Sequence, residues 1–272
     1  DALIRLEGLM AAAQRYEIRR AMGTLPTQVT GRGVDVANSE HGDRACIVDF
    51  ADNGWVRVEA FQCPDANVLG SRIVKESKRD GLSPHRVGVD AIGVGAGTVN
   101  EARRQQFPVA AIYAGNPPER MIEKAPDGQL VEWGPDVNQH KNLRSQMYWQ
   151  ARDDLRTGVV DGPQDSELWE ELIAPTFDDT SKVVVIESKL DIKERLGRSP
   201  DKADAWVMAN WVRARKFVPP PVEQEQGKSL GYDYQKQQPR ERETGESLMS
   251  AWLGEGQSTP TAGRYRRPVR RG

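Results

Sequence analysis

Asp35, Asp90 and Asp204 are the residues in this chain whose settings could support metal chemistry. Asp35 lies in a strand-like apolar run, Thr30-Gly-Arg-Gly-Val-Asp-Val-Ala37. Asp90 ends a second run, Arg86-Val-Gly-Val-Asp-Ala91, and Asp204 follows Asp201 at the start of a late helical pattern, Ser199-Pro-Asp-Lys-Ala-Asp-Ala-Trp206. A carboxylate inside an apolar strand is costly to bury without a partner. Clustered carboxylates raise one another's pKa values, and a divalent cation relieves the repulsion. Mg²⁺ and Mn²⁺ prefer such oxygen ligands, and a pair of ions can stabilise the attacking and leaving oxygens of a phosphoryl displacement. The chemistry implied is metal-dependent hydrolysis of a phosphodiester.

Each acid also has a plainer reading. Asp90 could cap the turn Ala91-Ile-Gly93. Asp201 and Asp204 could be helix N-terminal charges favoured by the dipole, and their spacing of three places both on one helix face. Glu40 and Asp43 read as solvated loop acids, with Asp43 also a candidate outer-shell ligand. Basic residues flank the acids: Lys141 and Arg144 begin a long helical pattern, and Lys189, Lys193, Arg195 and Arg198 precede the last pair. Lys141, Arg144, Lys189 and Arg198 are the candidate DNA contacts, of a kind that holds phosphates without reading bases. Lys189 and Arg198 are preferred, on the expectation that the segment between them forms a loop over the site.

The elements that must position these residues follow from periodicity and punctuation. A helix is expected over Leu3 to Ala21, with Leu3, Leu6, Leu9, Met10, Ala13, Tyr16 and Ile18 as its stripe. Three strands follow, Gly31–Ala37, Ala45–Ala51 and Trp55–Gln62, with Asp52-Asn-Gly54 as a hairpin signal and 38–43 as a longer turn. The period then changes to helix over Ala66–Arg79, strand over Val87–Ala91, helix over Gly95–Gln106 and strand over Val109–Tyr113, a spacing that calls for parallel crossovers. Helices are expected from about Asn138 to Thr157, over Asp165–Ala174, and from Ser199 to about Lys216. A β-branched strand is expected at Val183–Glu187. The cluster Gly93-Val-Gly-Ala-Gly97 lacks full dinucleotide-fingerprint spacing and reads as a tight turn beside the acids. No Gly-x-x-x-x-Gly-Lys-Ser/Thr phosphate loop occurs.

Bulk properties narrow the classes further. The chain has 272 residues, enough for one large domain or two small ones, and a formal charge of -2 announces no global basic field. Its two cysteines offer no disulfide framework, which points to a reduced cytosolic setting, and three histidines make a zinc site a poor reading. No apolar run approaches the ~20 residues of a membrane span. From Pro219 the composition turns to Gln, Glu, Gly and Arg, and disorder is expected over 218–272, with a short helix at Ser247–Leu253 and a basic end.

Three antiparallel strands followed by two crossovers and late helices make an α/β, ribonuclease-H-like mixed central sheet flanked by helices. At the level of residues, the chain resembles the nuclease domain of tailed-phage large terminase subunits. The resemblance rests on Gly33-Val-Asp-Val-Ala37 with Gly42-Asp43, Val89-Asp-Ala-Ile-Gly-Val-Gly95, Asn142-Leu-Arg-Ser-Gln-Met-Tyr-Trp149, Ile186-Glu-Ser-Lys189 and Ser199-Pro-Asp-Lys-Ala-Asp204. It implies a DNA-packaging nuclease that cuts concatemeric viral double-stranded DNA with two divalent ions, Mg²⁺ or Mn²⁺. Asp35, Asp90 and Asp204 would be the catalytic ligands, and Asp201 a possible further one.

The resemblance further implies residues 1–29 as the connection from an N-terminal ATPase domain outside this chain, 30–217 as the nuclease, and a portal protein and small terminase subunit as partners. The setting would be the host cell cytoplasm during viral assembly. Two competing readings share the fold: a junction resolvase or transposase-like nuclease, and a docking module without catalysis.

Overall fold

The computed structural model describes residues 2–37, 43–124, 127, 129–180 and 182–214. In chain order the elements are α1 (Leu6–Ala21), β1 (Gly31–Asp35), β2 (Ala45–Ala51), β3 (Gly54–Phe61), α2 (Ala66–Arg79), β4 (Val87–Asp90), α3 (Gly95–Arg104), β5 (Ala110–Ile112), β6 (Met121–Lys124), β7 (Leu130–Trp133), α4 (Leu143–Thr157), α5 (Ser166–Ile173), β8 (Phe177–Asp178), β9 (Val185–Ile186), α6 (Lys189–Leu196) and α7 (Asp201–Ala214). The central sheet has the order β3-β2-β1-β4-β5. β1–β2 and β2–β3 pair antiparallel, while β1–β4 and β4–β5 pair parallel. This is the ribonuclease-H-like arrangement expected from the element order. The β2–β3 connection turns on Asp52 at φ 53, as its Asp-Asn-Gly sequence predicts.

The sheet is covered on both faces. Val34, Ile47, Val87 and Val89 pack with Leu69, Ile73 and Val99 of α2 and α3. On the other face Phe50 and Trp55 meet Trp206 edge-on, with ring centroids 5.4 and 5.6 Å from it, an arrangement favoured by the ring quadrupoles.

Glycine fixes how close α7 comes to the sheet. A Cβ at Gly33 would lie 2.0 Å from the Ala205 carbonyl oxygen, and one at Gly31 would lie 2.6 Å from the Arg213 Cβ. On the neighbouring strand a Cβ at Gly88 would lie 2.9 Å from Val212. Side chains alternate along a strand, so Gly31, Gly33 and Asp35 share the face that α7 covers, as do Gly88 and Asp90. The helix runs against β1 from Arg213 beside Gly31 to Ala205 beside Gly33. Its first turn, with Asp201 and Asp204, therefore lies at the end of β1 that carries Asp35.

Several expectations change. The buried face of α1 is Leu9 and Ala12, whereas Leu6, Met10 and Ile18 of the expected stripe are about half exposed. The helix starts at Leu6, and Leu3 and Ile4 enter the core ahead of it together with residues of α4 and α5. The expected loop between Lys189 and Arg198 is mostly helix α6, capped by the Ser188 side chain and ended by Gly197 at φ 72. The small antiparallel pair β6–β7 has no counterpart in the sequence reading. The Gly93–Gly97 cluster is a tight turn into α3, and a Cβ at Gly95 would lie 1.9 Å from the Asp90 carbonyl oxygen. Residues 38–42 and the expected tail, including Ser247–Leu253 and the terminal arginines, lie outside the described residues.

Gly33→Ala is expected to push α7 off β1 and cost about 3 kcal/mol, read as a lower urea midpoint. An unchanged midpoint would mean that the helix does not depend on this approach.

Candidate functional site

The register of β1 and β4 pairs Arg32 with Val87, Gly33 with Gly88 and Val34 with Val89. The next position along each strand is Asp35 and Asp90, so both acids stand at the same edge of the sheet. α7 adds Asp201 and Asp204 there. Asp35 and Asp201 are 3 % exposed and Asp204 9 %, while Asp90 is half-buried.

The side chain that joins them is Lys189, at the start of α6. Its Nζ lies 3.0 Å from Asp35 Oδ2, 3.0 Å from Asp204 Oδ2 and 3.7 Å from Asp201 Oδ1. The sequence had placed Lys189 as a phosphate contact; its ammonium instead sits among the carboxylates. Asp204 has two more donors on its Oδ1, from Arg144 Nη1 at 2.6 Å and the Tyr148 hydroxyl at 2.7 Å. Asp201 Oδ2 accepts from the backbone N–H of Arg44 at 3.2 Å, and Asp90 Oδ1 from that of Ile92 at 3.0 Å.

The electrostatics separate the acids. Burial pushes Asp35 well above the usual carboxylate range; Lys189 opposes this, and Asp204, Asp201 and Asp90 add to it. Burial likewise raises Asp90. For Asp204 the same burial is outweighed by Arg144, Lys189 and the Tyr148 hydroxyl, which hold it well below that range. Asp204 is thus the fixed negative charge of the group and Asp35 the acid most ready to hold a proton. Among the described residues, no three His, Cys, Asp or Glu side chains stand together as a preformed metal cage. The Lys189 ammonium lies between Asp35 and Asp204.

The other expected residues divide. Arg144 and Lys189 reach the acids. Lys141 lies with them along a groove of about 560 Å³ that also carries Asn142, Thr176 and Asp191. Arg198 does not join the acids; its guanidinium bonds Glu167 and Glu170 and lies 3.6 Å from Glu171, all on α5. Asp43 is ion-paired with Lys193 of α6 at 2.7 Å.

Two residues that serve the site were not singled out from sequence. Tyr148 lies one turn after Arg144 on α4, so the i, i+4 spacing was the available signal. Glu171 is fully buried on α5 and accepts from the Ala203 backbone N–H at 3.0 Å. It thereby satisfies a donor in the first turn of α7. No sequence signal pairs it with α7, because the contact crosses 32 residues.

No protein-family model matches this chain. No curated protein matches it either. Solved structures do. The nuclease domain of the large terminase subunit gp2 of bacterial virus Sf6 aligns with a TM-score of 0.60 and 18 % identity, over 81 % of this chain and 100 % of that one. Its K428A mutant with manganese and beta-thujaplicinol aligns at 0.61 and 16 % over the same shares. The K428A mutant of gp2c with calcium aligns at 0.57 and 20 %, over 77 % of this chain and 99 % of that one. The chain therefore has a mixed α/β fold of the ribonuclease-H-like class. Within that class, its fold is that of the nuclease domains of phage large terminase subunits.

Two outcomes test the electrostatics without any metal. Lys189→Met in EDTA is expected to lower stability by about 1 kcal/mol, or about 2–4 °C in melting temperature. The loss should shrink at acid pH as Asp35 takes up a proton. An unchanged or higher melting temperature would show that Lys189 is not compensating the acids.

Glu171 titrates in the opposite sense to an ordinary ion-paired acid. Burial raises its pKa to about 7, so its contribution to stability is complete below the unfolded value and is lost as pH rises through 7. Glu171→Gln keeps the acceptor and does not titrate. Its stability relative to the parent should therefore rise between pH 4.5 and 8 by up to about 3 kcal/mol, measured by denaturant unfolding. A difference that stays flat with pH would contradict the shift.

Proposed function

We propose that this chain is a divalent-metal-dependent DNA endonuclease, the nuclease part of a viral genome-packaging terminase that cuts concatemeric double-stranded DNA. The observation that carries this reading is the convergence of Asp35, Asp90, Asp201 and Asp204, from two strands and a helix, at one edge of the sheet. The likeness of fold to terminase nuclease domains supports the particular class.

The donor set fits a hard divalent cation: four carboxylates, with one lysine ammonium lodged between two of them. Asp35, Asp90 and Asp204 would hold Mg²⁺ or Mn²⁺, with Asp201 as a further ligand. Bound there, two such ions supply nucleophile activation and charge stabilisation for phosphodiester hydrolysis. The protein's own part is mainly electrostatic. Arg144 and Tyr148 keep Asp204 ionised and fix its orientation. Lys189, 3.0 Å from both Asp35 and Asp204, would share these carboxylates with a bound cation or, displaced from them, meet a phosphate. Lys141 and Arg144 line a groove together with Lys189 and would hold the DNA backbone beside the cut.

The remaining parts of this reading are the N-terminal ATPase domain of the same polypeptide, a portal protein and a small terminase subunit as partners, and action in the host cell cytoplasm during viral assembly. A junction resolvase or transposase-like nuclease and a non-catalytic docking module remain the alternatives, and no observation favours either.

Plasmid nicking and linearisation in Mn²⁺ or Mg²⁺ test the reading. Asp35→Asn and Asp90→Asn are each expected to reduce the rate at least ~10²-fold, the scale on which one transition-state contact is worth about 3 kcal/mol. Asp204→Asn should match them, and Asp201→Asn should cost less. Parent-level cutting by Asp35→Asn would sink the site assignment. Preferential cutting of four-way junctions would move the protein to the resolvase class. Absence of divalent-metal binding by calorimetry would favour the docking module.

A further inference from the structure

A second cluster of cations lies away from the acids, in the groove between α1 and the far end of α4. This groove, of about 820 Å³, has Arg5, Arg15, Arg152 and Arg156 in its lining against one carboxylate, Glu7. Among the described residues, Asp153 is ion-paired with this group, with Arg152 at 3.1 Å and Arg156 at 3.4 Å. An excess of arginine in one groove runs against a chain whose net charge is -2.

Two of the guanidinium groups, those of Arg15 and Arg152, are held in place. Arg15 donates from Nη2 to the Val160 carbonyl at 2.7 Å, and its Nε is buried with no hydrogen-bond partner. Arg15 also packs over Gly158, whose φ of 76 ends α4 and leaves the surface bare; a Cβ there would lie 3.5 Å from the guanidinium carbon. Arg152 lies 4.2 Å from the centroid of the Trp149 ring. Arg5 has no ion-pair partner among the described residues. Pre-oriented guanidinium forks lose little entropy on meeting phosphate oxygens, and they match them bidentately.

The groove is tied to the candidate active site by one helix. Arg144, Tyr148, Arg152 and Arg156 follow one another at i+4 along α4, a slowly winding stripe. Its first two members hold Asp204 and its last two line the groove. Twelve residues of helix span ~18 Å, about five base pairs of duplex at ~3.4 Å each. We propose that the α1–α4 groove is a second phosphate-binding site, which grips the backbone of duplex DNA roughly half a helical turn from the phosphate at the acids. The proposal rests on the nuclease reading given above and adds to it a second point of contact.

The test measures binding of the full chain in EDTA, where nothing is cut, to a long duplex of about 30 base pairs, several times the ~18 Å span of helix, over a range of NaCl concentrations. The triple variant Arg5→Ala, Arg152→Ala, Arg156→Ala is expected to weaken binding of the long duplex. It should also lower the slope of log K against log salt by up to about 2.7, three contacts at ~0.9 each. Arg5→Glu alone, at an exposed site without an ion-pair partner, should produce a smaller loss of the same kind and guards against a folding defect in the triple variant.

An unchanged salt slope on the long duplex, in a parent chain that cuts DNA, overturns the groove and leaves the nuclease reading standing. A parent chain that cuts nothing overturns both. Binding of a polyglutamate peptide that depends on the three arginines, with DNA binding unaffected, would assign the groove to an acidic polypeptide and also overturn the proposal.

Discussion

Like charges in a space with little water are the constraint around which this molecule is arranged. Asp35, Asp201 and Asp204 are buried and Asp90 half-buried at one edge of the sheet, and an ionised carboxylate removed from water needs a compensating partner. The structure spends much of its nearby chemistry on that need. Lys189 reaches three of the acids, Arg144 and Tyr148 converge on one oxygen of Asp204, and two backbone N–H groups serve Asp201 and Asp90. The compensation is uneven. Asp204 has three donors and stays ionised, whereas Asp35 has the one lysine and is driven towards its neutral form.

The opposite face of the sheet meets a similar problem differently. Arg32, fully buried on β1, bonds Asp49 through two nitrogens, at 2.7 and 2.9 Å, and Asp80 at 2.7 Å. Arg57 and Arg72 continue the network to Glu76 and Glu59. There cations and anions alternate and every charge has a partner of fixed geometry, which leaves no gap for a ligand. At the acid cluster anions outnumber cations and one cation sits on a long flexible chain. The contrast shows why only one of these two ion-rich regions reads as a functional site.

Much of this was legible in the chain. β2 and α2 have the bounds their patterns predict, because a near-continuous apolar run between turn signals and an Asp65-capped amphipathic helix carry their own punctuation. Asp35 and Asp90 stood out as polar residues ending apolar runs, and parallel register then makes them neighbours. The α6 helix was not legible: it buries only Ile192, which leaves no apolar stripe to read. The stripe on α1 was misread because its apolar residues outnumber the two positions that the core covers. The places of Lys189 and Arg198 were hidden for a different reason. Both are long cations near acids in sequence, and only the packing of α5 beside α7 decides that one meets Asp204 and the other Glu170.

The glycines beneath α7 have a mechanical side. Where side chains separate a helix from a sheet, rotamer changes absorb small displacements and the layers slide with little resistance. Between α7 and β1 there is almost no such cushion, since the helix backbone at Ala205 and Ala209 lies against Gly33 itself. A contact of backbone on backbone is stiff. It holds Asp204 relative to Asp35 with a tolerance set by peptide geometry, while Lys189, on a four-carbon stem, is the compliant member of the group. The site thus combines a rigid frame of anions with a single soft cation.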